Sequence, residues 1–156
     1  GNFPYNISTQ ILFKILEHKE SIQTVVGMFQ KEVAERVCSN PNTKKYGIIS
    51  VLIQAYYNCE ILFDVHKTNF NPPPNVESSV ITLNRNSLKK LNCNEKSFVL
   101  IVKMSFNQRR KKIKNSLKNL TFKSNGKINE LMTQRPEQLS VNDFVILTNN
   151  LNNNEL

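Results

Sequence analysis

The residues with the clearest chemical potential are four in succession near the start of the chain, Asn2-Phe3-Pro4-Tyr5. An exocyclic amine on adenine is a poor nucleophile because its lone pair is delocalised into the ring. Two acceptors aimed at its N–H groups draw the nitrogen toward tetrahedral geometry and localise that pair for in-line attack on a methyl group. The Asn2 side-chain oxygen and a neighbouring backbone carbonyl can supply both. Pro4 fixes φ and removes a donor, which stiffens the turn that presents the carbonyl. Tyr5 offers a face for base stacking, worth roughly 1–3 kcal/mol per base, against the few kcal/mol needed to unstack a nucleotide. No general base is required until the proton leaves after transfer. Asn and Pro are also ordinary turn residues, so the rest of the chain decides.

The 156 residues carry 21 Lys and Arg against 12 Asp and Glu, a formal net charge of +9. That balance points to a polyanionic partner. From Lys96 to Asn129 there is no acidic residue at all, yet ten positive ones occur. A helix beginning near Asn107 would put Arg110, Lys111, Lys114 and Lys118 on one face by i,i+3/i+4 spacing, beside Arg109 and Lys112, with Ile113, Leu117 and Leu120 facing another way. A basic ridge with an apolar back suits docking on a phosphate backbone; such contacts give affinity and position but no sequence choice.

Length and a hydrophobic content of 39% suit one small domain, or one and a half. No apolar run is long enough to span a membrane, and no signal peptide is evident. Cys38, Cys59 and Cys93 are odd in number, widely spaced and without a CxxC pair. They argue for a reducing cytoplasm and against zinc or a disulfide framework, and no metal is expected. His18 and His66 are isolated, and Ser78-Ser79 lack a base partner, so nucleophilic catalysis is not expected. The abundant Asn residues are assigned no function.

The elements that must position these groups follow from periodicity. Ser8 or Thr9 is expected to cap a helix bearing Ile11, Leu12, Ile15 and Leu16. Thr24 to Phe29 reads as a short buried strand, Lys31 to Val37 as a helix with a Glu32–Arg36 pair, and Gly47 to Tyr57 as a helix. Glu60 to Val65 and Ser79 to Leu83 read as strands flanking the loop Phe70-Asn71-Pro72-Pro73-Pro74. This alternation belongs to an α/β sheet with crossover helices. Asn84 to Asn94 is polar and linker-like; beyond it the apolar residues fall at helical spacing only.

Six ordered strings then carry a resemblance: Gly1-Asn2-Phe3-Pro4-Tyr5-Asn6-Ile7-Ser8, Gln30 to Arg36, Tyr46 to Val51, Phe70 to Ser78, Phe106-Asn107-Gln108-Arg109-Arg110-Lys111, and Arg135-Pro136-Glu137-Gln138-Leu139-Ser140. In order and spacing the chain resembles the KsgA-type ribosomal RNA adenine dimethyltransferases. The resemblance implies the C-terminal half of a Rossmann-like, S-adenosylmethionine-dependent methyltransferase sheet (residues 1–86), a linker (87–94) and a small all-helical RNA-docking domain (95–156). By the same resemblance Asn2 accepts from the adenine amine and lies beside the methyl donor. Phe3 supplies the carbonyl acceptor, where Leu is commoner, Tyr5 stacks on the base, and Phe70 closes on its other face. Arg109, Arg110 and Lys111 face ribosomal RNA.

The expected activity is dimethylation of adjacent adenines in small-subunit ribosomal RNA, on a pre-30S particle in the cytoplasm. Macrolide-resistance enzymes acting on large-subunit RNA and a non-catalytic ribosome-assembly factor are the alternatives. Such enzymes hold S-adenosylmethionine with a glycine-rich strand-to-helix turn and an acidic residue on the ribose. With glycine present four times and no GxG, the chain is expected to be a fragment lacking most of that site, inactive alone and prone to self-association through an exposed sheet edge.

Overall fold

The computed structural model describes residues 1–88 and 90–152. Lys89, inside the expected linker, and residues 153–156, at the end of the expected helical domain, lie outside the described residues. The chain divides into two compact units, Gly1–Ser39 with Ile53–Lys89, and Asn40–Leu52 with Lys90–Leu156.

The first unit is built on a three-stranded sheet of β1 (Thr24–Gln30), β2 (Tyr57–Val65) and β3 (Ser78–Arg85), in the order β1-β3-β2. β3 is antiparallel to both neighbours, so β1 and β2 run parallel, with β3 returning between them. The crossover expected from the alternation therefore exists. It runs through α2 (Lys31–Val37) and α3 (Ile48–Gln54), and α2 lies against all three strands. α1 (Ser8–Glu17) precedes β1. Leu12, Phe29, Ala34, Val37, Ile81 and Leu83 are fully buried.

Three local expectations are corrected. Ser8 is the first residue of α1 rather than its cap, and its hydroxyl donates to the Pro4 carbonyl at 3.2 Å. β1 is only half-buried: Gly27 and Phe29 face inward, while Val26 is 48% exposed. The helix expected to reach Tyr57 ends at Gln54, because Tyr57 already pairs with Arg85 as the first residue of β2. The Arg85 guanidinium takes the Tyr56 carbonyl at 2.7 Å and the Lys19 carbonyl at 3.1 Å, fixing that turn.

The second unit is helical: α4 (Glu95–Asn107), α5 (Ile113–Ser116), α6 (Gly126–Met132) and α7 (Val141–Asn149). Asn94 and Asn125 accept from the Ser97 and Ile128 amides at 3.0 and 2.9 Å, so two of the abundant asparagines are helix caps. Ser140 and Asp143 form a reciprocal capping box on α7. Phe98, Ile101, Ile113, Leu139, Phe144 and Leu147 are fully buried. Asn40–Leu52, expected within the N-terminal part, groups with these helices. Its fully buried Tyr46 sits 6.2 Å from Phe106, which in turn lies 6.0 Å from Phe144.

Candidate functional site

The Asn2 loop hangs on the C-terminal half of β1. Asn2 makes a parallel bridge to Met28. The Met28 amide donates to the Gly1 carbonyl at 2.9 Å, and the Phe3 amide to the Met28 carbonyl at 3.4 Å. Gly27 lets the loop come this close. A Cβ built there would fall 2.2 Å from Phe3 Cε2, so the absent side chain is the seat of the Phe3 ring. That ring also leans on Phe29, with centroids 5.1 Å apart. Phe3 is thus an anchor whose side chain faces the protein.

Past Phe3 the chain turns under Pro4, at φ −59° and ψ 129°, into a 3-10 turn over Tyr5–Ile7. The Pro4 carbonyl is consumed by the Ile7 amide and the Ser8 hydroxyl. By contrast, among the described residues no hydrogen bond engages the Asn2 side chain or the Phe3 carbonyl. These are the two acceptors that the amine chemistry asks for. Tyr5 is half-buried, and its hydroxyl bonds the Ser78 hydroxyl, which fixes the ring's direction.

Phe70 reaches the same end of the sheet by another route. Ser78 opens β3 and pairs in register with Gln30 and Val65, the last residues of β1 and β2. The loop carrying Phe70 joins Val65 to Ser78, and the Tyr5 hydroxyl is tied to Ser78 itself. Both aromatics therefore stand at the carboxyl ends of the two parallel strands, where open α/β sheets bind ligands. No ring contact joins them among the described residues. The loop is braced: His66 Nδ1 accepts from the Thr68 amide at 3.4 Å, and Nε2 lies 3.3 Å from Glu77 Oε1. The Lys67 amide donates to Glu77 Oε2 at 3.2 Å.

Beside this brace, Ser79 donates to Asp64 Oδ1 at 2.6 Å, and Lys31 pairs with Asp64 Oδ2 at 2.5 Å. These two partners, Lys31 first, hold the Asp64 carboxyl below its ordinary value. Residue-by-residue reading missed four positioning groups: Gly27, His66, Glu77 and Ser78. A glycine inside a strand pattern signals close approach of another segment; His66 carries no such signal.

The basic residues are arranged differently from the expected ridge. α4 ends at Asn107, and α5 is a single turn from Ile113 to Ser116. In a continuous helix the Ile113 amide would bond the Arg109 carbonyl; it donates instead to the Gln134 carbonyl at 2.8 Å. Fully buried Ile113 is thereby pinned. Arg110, Lys111, Lys112, Lys114 and Lys118 are exposed and without an acidic partner among the described residues. Arg109 is half-buried and committed within its own unit, donating from Nη2 to the Thr43 carbonyl at 3.3 Å and the Lys44 carbonyl at 2.5 Å.

Comparison with known proteins accords with this geometry. The family model of ribosomal RNA adenine dimethylases matches residues 1–153. A ribosomal RNA small subunit methyltransferase A from Phocaeicola vulgatus is 54% identical over 150 residues, covering 96% of this chain and 54% of that protein. Its namesake from Cytophaga hutchinsonii is 52% identical, covering 97% of this chain and 58% of that protein. The chain thus spans about half the length of the curated relatives it matches. Among solved structures, a dimethyladenosine transferase from Plasmodium falciparum superposes with TM-score 0.78 at 24% identity, over 94% of this chain and 63% of that one. The 23S rRNA methyltransferase ErmE superposes with TM-score 0.66 at 21% identity, over 96% and 64%. These two share the fold, a methyltransferase-type α/β sheet followed by helices. The chain belongs to the ribosomal RNA adenine dimethylase family.

Proposed function

We propose that this chain is the base-holding and RNA-docking part of an enzyme that dimethylates the exocyclic amine of adjacent adenines in small-subunit ribosomal RNA. The observation that carries the reading is the pair of free acceptors, the Asn2 side chain and the Phe3 carbonyl, beside a tyrosine ring held by Ser78. An adenine turned out of its stack donates its two amine hydrogens to these acceptors and stacks on Tyr5, with Phe70 closing on the opposite face. Pro4 keeps the turn rigid while Phe3 stays seated over Gly27. S-adenosylmethionine, when bound, supplies the electrophilic methyl group. Asn2, exposed and unpartnered, fits a place beside it. The remaining expected contacts to that cofactor, a glycine-rich turn and an acidic ribose partner, have no counterpart in this sequence. The polypeptide by itself is therefore inactive, and micromolar binding of S-adenosylmethionine in a calorimetric titration would refute that part.

Arg110, Lys111, Lys112, Lys114 and Lys118 meet RNA phosphates, with Arg109 holding the scaffold behind them. The partner is the pre-30S particle in the cytoplasm, to which three free cysteines are suited. β2 forms a sheet edge and exposes Leu62 and Phe63 at 44% and 57%, which supports self-association of the chain when it stands alone.

The test is Asn2→Ala in a protein that also carries the cofactor-binding half. Methyl transfer to adenine disappears while RNA affinity stays nearly intact; loss of both together would mean that the loop is structural. The likeness to ErmE favours one second reading, methylation of large-subunit RNA. Offering both subunits' RNA as substrate in the same assay separates the two.

A further inference from the structure

The outer edge of β1 and the groove beside α1 form one surface that the methyl-transfer chemistry does not use. Three bonds run along that edge. The Phe3 amide donates to the Met28 carbonyl at 3.4 Å, the Met28 amide to the Gly1 carbonyl at 2.9 Å, and the Gly1 amine to the Val26 carbonyl at 2.6 Å. They are successive rungs of a parallel ladder, in keeping with the parallel bridge of Asn2 to Met28. Beyond them the ladder is open. The N–H and C=O of one strand residue point the same way, so the Val26 amide faces outward with its carbonyl, away from β3. Among the described residues that amide has no partner.

The groove adjoins this edge. It is a cavity of about 460 Å³ whose apolar lining comes from Phe3, Ile7, Ile11, Ile15, Ile22 and Val25, all in the first unit. Lys14 borders it with its ammonium paired to Glu17 at 2.6 Å. Phe3 and Val25 belong to edge and groove alike: the Phe3 ring lines the groove while its amide is a rung, and Val25 lies on β1.

Charge and geometry narrow the occupant. RNA does not fit, because an apolar groove offers phosphates no cation to bind. A second copy of this chain, related by a twofold axis, would bring β1 against β1 antiparallel, whereas the rungs already present run parallel. What fits is an element that adds a parallel strand together with an apolar flank. Nearly half the length of the curated relatives lies outside the part that this chain matches.

We propose that this surface docks the cofactor-binding half of the enzyme without a covalent link, as a separate polypeptide. That half adds a parallel strand to β1 at Val26 and fills the groove with apolar side chains. Backbone bonds along the edge set the register, and burial of the groove drives association. The inference rests on the reading of this chain as the base-holding part.

The test coexpresses this chain, tagged, with the part of the Phocaeicola vulgatus relative that lies outside the match. The two are expected to copurify in equal amounts. Hydrogen exchange at the Val26 amide, rapid in the chain alone, should slow by about tenfold or more in the complex; this readout needs no variant. Val26→Pro removes the outward amide and leaves the β1–β3 bonds in place. It and Ile11→Asp should each weaken association roughly tenfold, while Leu62→Asp, on β2 at the far edge of the sheet, should not. Failure to copurify, or recovery of the chain bound only to itself, overturns the proposal. So does a Val26 amide that stays unprotected in the complex, or association that tolerates both Val26→Pro and Ile11→Asp. A complex that protects Val26 yet transfers no methyl group to small-subunit RNA sustains the docking surface and counts against the base-holding reading instead.

Discussion

Gly27→Ala is expected to unseat Phe3 and with it the acceptors of the Asn2 loop. The added Cβ would fall 2.2 Å from Phe3 Cε2, 2.7 Å from Cδ2 and 3.2 Å from Phe29 Cε2. The nearest obstacle is the rim of a ring on a short loop, so the ring swings out and the β1–β3 ladder stays closed. Two contributions are then lost. The Phe3–Phe29 pair, 5.1 Å apart, is worth about 0.5–1.5 kcal/mol. Burial of a half-buried phenylalanine adds about 1 kcal/mol, roughly half the value for a fully buried one. Against this, alanine in place of glycine in a strand returns about 0.5–1 kcal/mol. The net cost is about 0.5–2 kcal/mol.

Urea unfolding at constant m reads that cost as a lower midpoint. The decisive measurement is a double-mutant cycle with Phe3→Ala. With the ring gone the seat is empty, and Gly27→Ala should be neutral or slightly stabilising, giving a coupling of about 1.5–2.5 kcal/mol. Equal costs with and without the Phe3 ring would refute the reasoning, since Gly27 would then serve the strand itself and not the loop.

Replacing Arg110 and Lys111 together by Ala should leave thermal stability unchanged and flatten the salt dependence of RNA affinity by about 1.4, at about 0.7 per phosphate contact on a single strand. An unchanged slope would remove these residues from the interface. Arg109→Ala should instead lower the melting temperature, because its guanidinium holds the Thr43 and Lys44 carbonyls; an unaltered melt would make that clamp dispensable. Ser78→Ala and Tyr5→Phe should each destabilise by about 1 kcal/mol, with the double variant little worse than either; full additivity would mean that their hydroxyl contact carries no energy. Burial pushes the Cys38 thiol up to about 11 and the Cys59 thiol up to about 12, from an ordinary 9.0. Raised folded values contribute stability that is complete below the unfolded value and lost as pH rises through the folded one. The urea midpoint should therefore fall above about pH 9, and Cys38→Ala with Cys59→Ala should reduce the fall; a midpoint insensitive to alkali would contradict it.

Local order was legible where apolar spacing and capping residues agree. α2, with its Glu32–Arg36 pair, and the strands around Val26 and Ile81 stand where periodicity put them, and the Asn2–Tyr5 loop was visible from residue types alone. Illegible features depend on partners distant along the chain. The break between α4 and α5 follows from Gln134 taking the Ile113 amide, a bond that spacing within the basic run cannot reveal. Arg109 reads as one more cation until the Thr43 and Lys44 carbonyls meet it. Nor does periodicity show that Asn40–Leu52 groups with the helices, since that grouping rests on Tyr46 against Phe106.

The sequence by itself determined the chemistry on offer: an amide, a stiffened turn, two aromatics, and a cationic run without acids. Residue types and short-range spacing suffice for that. Only the tertiary structure decided which of these groups are free to act. Antiparallel β3, threaded between two parallel strands, brings Ser78 to Tyr5, and the missing Cβ of Gly27 admits Phe3. Hydrogen-bonding capacity is a local property of a side chain, whereas its satisfaction depends on every segment that folds against it.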